Sequence, residues 1–164
     1  MTSTPDSQLA VARQAGDRAE TAVLDLVPEL RYVADTEADH YDSIAEAVIE
    51  PSDQLPIYGV DVLDVGTQTE IKSAGVVYGE RQRRGRFSIR RGQHNALLEM
   101  EGVYLFAVCA PHDRDVIAMC VMTASVVDDL RREHTDGWRS AGDGREDYVQ
   151  LSWARVFDPS EVDA

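Results

Sequence analysis

The sequence predicts a layered α/β domain, and three observations lead to this class. Near the N-terminus apolar residues recur at helical spacing, whereas farther along several apolar or alternating runs have the length of strands. These segments follow the order helix, two or three strands, helix, two strands, helix, strand, which is typical of layered α/β domains. The chain has 164 residues, 43% of them hydrophobic and 28% charged, as expected for one folded domain over residues 1–164.

The first third of the chain divides into a tail, a helix and an acidic insertion. Residues 1–6 are expected to form a disordered tail. Apolar residues at helical spacing then predict a helix from Ser7 to about Leu30. Residues 35–56 form an acidic insertion whose pattern leaves the structure open, although a few apolar residues there favour a short helix before Pro51.

A β-hairpin is predicted next. Strand-like stretches at 56–63 and 68–74 flank a turn whose two central residues are a valine and a glycine. Counting outward from that turn places Asp61 opposite Glu70. Because side chains alternate along a strand, Lys72 then lies on the same face as Glu70.

The second half of the chain alternates helices and strands. The two central strands are apolar, are joined by a short polar segment and therefore predict a second hairpin. The predicted elements are a helix at Gln93–Met100, strands at Val103–Ala110 and Val116–Thr123, a helix capped by Ser125 and ending near Glu133, a loop at 135–146 and a last strand at Tyr148–Phe157.

The facing carboxylates of the first hairpin predict a metal site. Like charges directly opposite each other destabilise a strand pair, and a divalent cation between Asp61 and Glu70 would remove that repulsion. Oxygen donors suit Mg²⁺ or Mn²⁺, which can polarise a phosphate oxygen. The alternative is a pair of solvent-facing acids in an acidic chain, but that reading does not account for the position of Lys72, the only lysine.

The overall charge indicates an unusual solvent or genome. The chain carries 30 acidic and 16 basic residues, a net charge of −14, and all basic residues except one are arginine. An acidic excess with almost no lysine favours a halophilic source, which would be an archaeon or an archaeal virus. The alternative is an ordinary acidic protein from a GC-rich genome, which encodes arginine in preference to lysine.

One basic segment stands out against this acidic background. Residues 71–92 contain seven basic side chains and one acidic side chain, whereas the segments on either side are strongly acidic. Such a segment indicates an anionic partner; the alternative is a solvated arginine loop that pairs with neighbouring carboxylates. The predicted nucleic-acid-binding residues are Arg81, Arg83, Arg84, Arg86, Arg90 and Arg91.

Several protein classes are excluded by the sequence. No apolar run approaches the roughly 18 residues of a membrane span, and the N-terminus lacks the pattern of a secretory signal. Two cysteines cannot form a disulfide framework. We therefore expect no membrane partner and a cytoplasmic location.

At the predicted hairpin the sequence resembles the PD-(D/E)xK nuclease superfamily, and the resemblance covers about residues 16–124. Archaeal Holliday junction resolvases and restriction-type endonucleases are the nearest relatives that the motifs indicate. The resemblance implies a restriction-endonuclease-like fold, which is a layered domain with a mixed central sheet flanked by helices. The matching segments are Gly59-Val60-Asp61-Val62, Glu70-Ile71-Lys72-Ser73 and the helix that opens with Gln93.

The resemblance also implies roles for individual residues. Catalysis would involve Asp61, Glu70, Lys72 and Gln93, and the metal would be held by Glu20, Asp61, Glu70 and the carbonyl of Ile71. Asp64 is the second candidate for the first acid, although it falls at the turn. Leu97 stands where some exonuclease branches carry a tyrosine, which disfavours an exonuclease.

We therefore predict an Mg²⁺- or Mn²⁺-dependent endonuclease or junction resolvase that cuts DNA and acts as a homodimer. One alternative is a catalytically inactive relative that binds nucleic acid. A second alternative is a halophilic interaction protein whose arginine-rich loop docks an acidic partner.

Overall fold

The computed structural model describes residues 18–34, 37–38, 40–77, 81, 83–111 and 115–162. The predicted tail and the start of the first predicted helix lie outside these residues. The helices are α1 (described from 18 to 26), α2 (Arg91–Met100) and α3 (Ala124–His134). The strands are β1 (Leu30–Tyr32), β2 (Ser43–Ala45), β3 (Ile57–Tyr58), β4 (Gln68–Gly75), β5 (Arg86–Arg90), β6 (Val103–Cys109), β7 (Val116–Thr123) and β8 (Tyr148–Ser152). None of the helices described here is long and apolar enough to cross a bilayer.

Six strands form one mixed sheet in the order β1-β2-β4-β6-β7-β3. The β4–β6 and β7–β3 pairs are parallel, and the other pairs are antiparallel. Strands β5 and β8 form a separate antiparallel pair. The α/β class with a mixed central sheet and flanking helices is therefore confirmed, as is the predicted β6–β7 hairpin.

The two faces of the large sheet are packed differently. One face carries aliphatic side chains such as Ile71 and Leu105, which pack with Val23 of α1. The opposite face carries Tyr104 and Phe106, which pack beneath α2, α3 and the β5–β8 pair. Burying each such side chain contributes roughly 1.5–3 kcal/mol, so both layers are anchored to the sheet.

The predicted hairpin at 56–74 is wrong. Strand β4 pairs with β2 on one side, where Ser43 lies opposite Thr69, and with β6 on the other, so neither edge is available to residues 56–63. The turn itself is present, but Leu63 forms a bridge with Ile49 instead. A turn fixes where the chain reverses, whereas the burial of Leu63 decides which segment it pairs with.

Three smaller predictions also need correction. The acidic insertion contains strand β2 where a short helix was favoured. The arginine-rich segment, for which no element was predicted, contains strand β5, because alternate residues there enter the core. Helix α3 is capped by Thr123, whose hydroxyl accepts from the amide of Val126, and not by Ser125. The last strand ends at Ser152, where its hydroxyl caps a 3₁₀ turn at Trp153–Arg155.

Candidate active site

Strand β4 presents Glu70 and Lys72 on the same face of the sheet, because the two residues are two positions apart. Their partners on β6 are Tyr104 and Phe106, so the pair lies on the aromatic side beneath α2. Glu70 is only 9% exposed. The predicted placement of Glu70 and Lys72 on one face therefore holds, although the strand has different neighbours from those predicted.

Gln93 connects the two charged side chains of β4. It is the third residue of α2 and is buried. Its amide nitrogen donates to Glu70 Oε2 at 2.6 Å, and its Oε1 accepts from Lys72 Nζ at 2.9 Å. Because a glutamine amide offers both donors and an acceptor, it serves a carboxylate and an ammonium at once. Glu70, Lys72 and Gln93 are thus brought together as one cluster.

A second carboxylate, that of Asp42, lies against β4. Its Oδ1 and Oδ2 accept from the backbone amide of Ile71 at 3.1 and 3.3 Å. The amide of Asp42 donates to the carbonyl of Thr69, and the carbonyl of Asp42 accepts from the amide of Val33. Asp42 is therefore fixed by backbone contacts on both sides, immediately beside Glu70.

The two carboxylates share a poorly hydrated space. Burial, together with the charge of Glu70, raises the pKa of Asp42 to about 8. Burial likewise raises the pKa of Glu70, although the nearby Lys72 and a hydrogen bond with Asp42 oppose that rise. Without a cation between them, the pair is therefore favoured in a protonated form near neutral pH.

Lys72 experiences opposing influences. Burial lowers the pKa of its ammonium, and the neighbouring charge of Glu70 raises it; the net direction is downward. Arg90 lowers the pKa of Lys72 further, and the same guanidinium lowers that of Glu70. The basic group of this site is thus held in a partly desolvated environment, where its protonation responds to its neighbours.

The remaining predicted acids are placed differently from one another. Glu20, on α1, lies close enough for its charge to raise the pKa of Glu70. Asp61 lies in an exposed bend between β3 and β4, and it is not opposite Glu70. Asp64 is exposed at the turn, where its carbonyl accepts from Thr67. The structure therefore groups Glu20 with Glu70 and leaves Asp61 and Asp64 elsewhere.

A buried histidine anchors α2 behind this cluster. His94 lies 2.9 Å from the Tyr104 hydroxyl through Nδ1 and 2.9 Å from Asp128 Oδ1 through Nε2. Burial lowers the pKa of His94, so the ring is neutral and donates to Asp128 from Nε2 while accepting from Tyr104. Asp128 in turn accepts from Arg131. The contacts join α2 to β6 and α3, next to Gln93.

The arginines predicted to bind nucleic acid fall into two groups. Arg86 and Arg90 lie on the outer face of β5, where every second residue is exposed. Arg91 instead donates to Asp147 at 3.1 Å. Arg84 stacks on the ring of Trp153, with its guanidinium carbon 5.3 Å from the ring centroid.

Two further arginines of the set, Arg81 and Arg83, are exposed in the segment before β5. Their side chains are therefore accessible from solvent, as are those of Arg86 and Arg90. A role of any of the six in binding stays a prediction.

A family match accompanies this geometry. The model of the PD-(D/E)XK nuclease superfamily domain matches residues 6–158, which is most of the chain. The chain belongs to the PD-(D/E)XK nuclease superfamily. No curated protein and no solved structure gives a significant match to it. The mixed sheet with helices on both faces is consistent with the restriction-endonuclease-like fold that the resemblance implied.

PD-(D/E)XK proteins typically depend on a metal. Across the residues that the structure describes, no three His, Cys, Asp or Glu side chains are grouped so that they could hold a metal ion. Asp42 and Glu70 nevertheless provide two adjoining carboxylates. Mg²⁺ is commonly held by one or two carboxylates, with water and substrate phosphates completing its coordination. The donor set therefore fits a cation that is shared with substrate.

Asp42 is the residue of this cluster that sequence reasoning missed. The sequence around it carries no strand signal, because burial in β2 runs against hydrophobicity: Ser43 and Ala45 are buried, whereas Ile44 between them is half-buried. The apolar residues that follow favour a helix instead. The segment 43–45 forms a strand because the edge of β4 needs a partner there.

Proposed function

We propose that this protein is a metal-dependent nuclease that hydrolyses phosphodiester bonds in DNA, with Asp42, Glu70, Lys72 and Gln93 as its active-site residues. The observation that carries the proposal is the single glutamine amide that links the carboxylate of Glu70 to the ammonium of Lys72. An ion-pair network for stability alone has no need of a second buried carboxylate beside it. Family membership supports the same chemistry.

The acids of the site have the metal-binding role in this proposal. Asp42 and Glu70 would hold Mg²⁺ or Mn²⁺, with Glu20 and the carbonyl of Ile71 as further candidate donors. The ion, when bound, supplies Lewis acidity toward a phosphate oxygen. This positive charge would favour the ionised forms of both acids, whose pKa values are raised by burial.

Lys72 and Gln93 have the positioning and charge-stabilising roles. Lys72 would orient the attacking water and stabilise negative charge that develops on the phosphate. Gln93 holds Lys72 Nζ at 2.9 Å and so fixes its direction relative to Glu70. A preorganised donor of this kind does not have to reorient during the reaction, which is how such groups accelerate it.

The proposed nuclease is tested by incubating the purified protein with linear duplex, four-way junction and single-stranded DNA. Mg²⁺, Mn²⁺ and EDTA form separate arms, each at low and at molar KCl. We expect cleavage with either metal and none in EDTA, and we expect Lys72→Ala to abolish cleavage while DNA binding remains nearly unchanged. Binding of these substrates without metal-dependent cleavage of any of them would support the alternative of an inactive relative that binds nucleic acid. Absence of both binding and cleavage would support the alternative of an interaction protein.

Two further features belong to the proposal. Cutting both strands of a duplex or resolving a junction requires two sites, so we propose a homodimer, to be tested by sedimentation equilibrium. The acidic, lysine-poor composition supports salt adaptation; activity that rises from low to molar KCl is the expected result, and loss of activity in molar KCl would contradict it.

A further inference from the structure

The β5–β8 pair has an outer face without acidic residues. Alternation along β5 places Arg86, Ser88 and Arg90 on this face, while Phe87 and Ile89 enter the core. The antiparallel register extends the same face across β8, which is the edge nearest the loop that follows α3. The partners are Ser152 opposite Arg86, Gln150 opposite Ser88 and Tyr148 opposite Arg90.

A third arginine, which sequence reasoning did not single out, extends this face. Arg139 forms an antiparallel bridge with Tyr148, and the two residues exchange backbone hydrogen bonds of 2.8 and 2.9 Å. Bridge partners point to the same face of a sheet, so Arg90, Tyr148 and Arg139 form a row across it. The row places a tyrosine between two arginines. We call Arg86, Arg90, Arg139, Tyr148 and Gln150 the outer face.

The charges on the outer face are largely uncompensated. Among the described residues no carboxylate lies within ion-pair distance of Arg86 or Arg139, and Arg90 has only Glu146, at 3.8 Å. Arg86 donates instead to the neutral amide oxygen of Gln150 at 3.4 Å. In a chain of net charge −14, unpaired arginines on one face indicate an anionic ligand.

Two clefts lie at Tyr148. The larger, about 700 Å³, is lined by Arg90, Arg145 and Glu146 among others. The smaller, about 120 Å³, is lined by Arg86, Arg139 and Asp136 among others. Tyr148 and Gln150 line both clefts, so these two residues are shared by two depressions that each contain arginines.

The outer face adjoins the active site through Arg90. This residue precedes α2, and its charge acts on both Glu70 and Lys72. Arg86 lies four residues back along β5, at a distance of roughly 13 Å. That distance corresponds to about four nucleotides of a stacked strand.

We propose that the outer face binds a single-stranded segment of nucleic acid that leads to the active site, with phosphates on Arg86, Arg90 and Arg139 and a base stacked on Tyr148. The proposal rests on the proposed nuclease function. Arginine grooves interleaved with aromatic rings are the chemistry by which proteins hold unpaired strands, because each exposed base has a π-face. A duplex keeps its bases stacked inside and would use the arginines without the ring.

The test measures binding separately from cleavage. A fluorescein-labelled 20-residue oligodeoxythymidylate is titrated with the full chain in EDTA, and anisotropy is recorded at several KCl concentrations. The variants are Arg86→Ala, Arg139→Ala, Tyr148→Leu and Tyr148→Phe. Arg31→Ala is the matched control, since it removes the same charge from β1, where Arg31 pairs with Glu46.

We expect Arg86→Ala and Arg139→Ala each to weaken binding about tenfold and to reduce the slope of log affinity against log salt by about 0.7. Tyr148→Leu should weaken binding at least about fivefold, and Tyr148→Phe should retain it. Arg31→Ala should bind slightly more weakly with an unchanged slope.

Three results would overturn the inference: no binding of the oligonucleotide by the wild type, equal losses in Arg139→Ala and Arg31→Ala, or wild-type affinity in Tyr148→Leu. A parallel cleavage assay with Mg²⁺ keeps the two proposals distinguishable. If the protein cleaves DNA but these substitutions do not change its binding of the oligonucleotide, only the outer-face assignment is refuted. A chain that follows the expected binding pattern and never cleaves would refute only the nuclease assignment.

Discussion

Two segments of this chain each offer an aspartate before the Glu70-Ile71-Lys72 motif, and the structure treats them in opposite ways. Asp42 is 28 residues from Glu70 in sequence, yet its carboxylate accepts from the amide of Ile71. Asp61 is only nine residues away and lies in an exposed bend. An acidic residue is therefore brought to this site by the strand that pairs with β4. A short separation from Glu70 along the chain is not sufficient.

The backbone accounts for the difference. Asp42 is the residue just before β2, and its own amide and carbonyl bond to Thr69 and Val33. Asp61 precedes Leu63, whose burial directs that segment toward Ile49 instead. Asp42 and Asp61 therefore form a matched pair for substitution.

The largest expected effect is on cleavage. Asp42→Asn should reduce the rate of metal-dependent DNA cleavage about 10³-fold or more, because it removes a charged oxygen donor worth several kcal/mol at the reacting phosphate. Asp61→Asn should stay within twofold of the wild type. Single-turnover cleavage measured under one set of conditions provides the comparison. Equal losses in the two variants would show that the site extends to the bend at 59–64.

A smaller loss is expected when the bridging amide is removed. Gln93→Ala leaves Glu70 and Lys72 in place but deletes the hydrogen bond that each of them makes with the amide, and we expect cleavage about 10- to 100-fold slower. Asn95→Ala, on the exposed side of the same helix, is the control and should be unaffected. A Gln93→Ala enzyme with full activity would separate the glutamine from the chemistry.

The fold and the site were predictable to different degrees for physical reasons. Lys72 and Glu70 were identifiable because the period of two along a strand is independent of its partner. The β6–β7 hairpin was predictable because both strands are long and apolar, and neither depends on a distant segment. Asp42 was not identified, because its position depends on a three-residue strand and on long-range pairing with β4. Arg139 was missed for a different reason, because it lies in a predicted loop and joins the β5–β8 pair through a single bridge to Tyr148.

The pH dependence of folding stability should also distinguish Asp42 from Asp61. The pKa of Asp42 is about 8 in the folded metal-free protein and near 3.8 when unfolded, so the folded state retains a proton that the unfolded state loses. This group therefore lowers stability increasingly as the pH rises from about 4 to about 8, by an amount on the order of a few kcal/mol.

Asp42→Asn should remove this loss and raise the melting temperature of the metal-free protein at pH 8, even though it abolishes cleavage. Asp61→Asn should follow the wild-type curve. Thermal unfolding in EDTA at pH 5 and at pH 8 provides the measurement. An Asp42→Asn protein that is less stable than the wild type at pH 8 would contradict the assigned protonation.

The pKa of a third aspartate, Asp128, shifts in the opposite direction. Its replacement is expected to have the smallest effect on stability. Burial acts to raise its pKa, but hydrogen bonds from His94 and Arg131 outweigh burial and lower it. Its stabilising contribution is present above the ordinary aspartate pKa and is lost as the pH falls through the lowered folded value. Asp128→Asn should therefore cost about 1 kcal/mol at pH 7 and less at pH 3, as measured by urea denaturation. A cost that grows toward low pH would contradict the pairing with His94.

The most direct test of the Asp42–Glu70 site is a calorimetric titration of Mn²⁺ into the wild type, Asp42→Asn and Asp61→Asn at pH 8 without DNA. The site predicts one class of binding in the wild type, the same affinity in Asp61→Asn, and at least about tenfold weaker binding in Asp42→Asn. If Asp61→Asn instead loses Mn²⁺ binding while Asp42→Asn retains it, the site assigned to Asp42 and Glu70 is wrong.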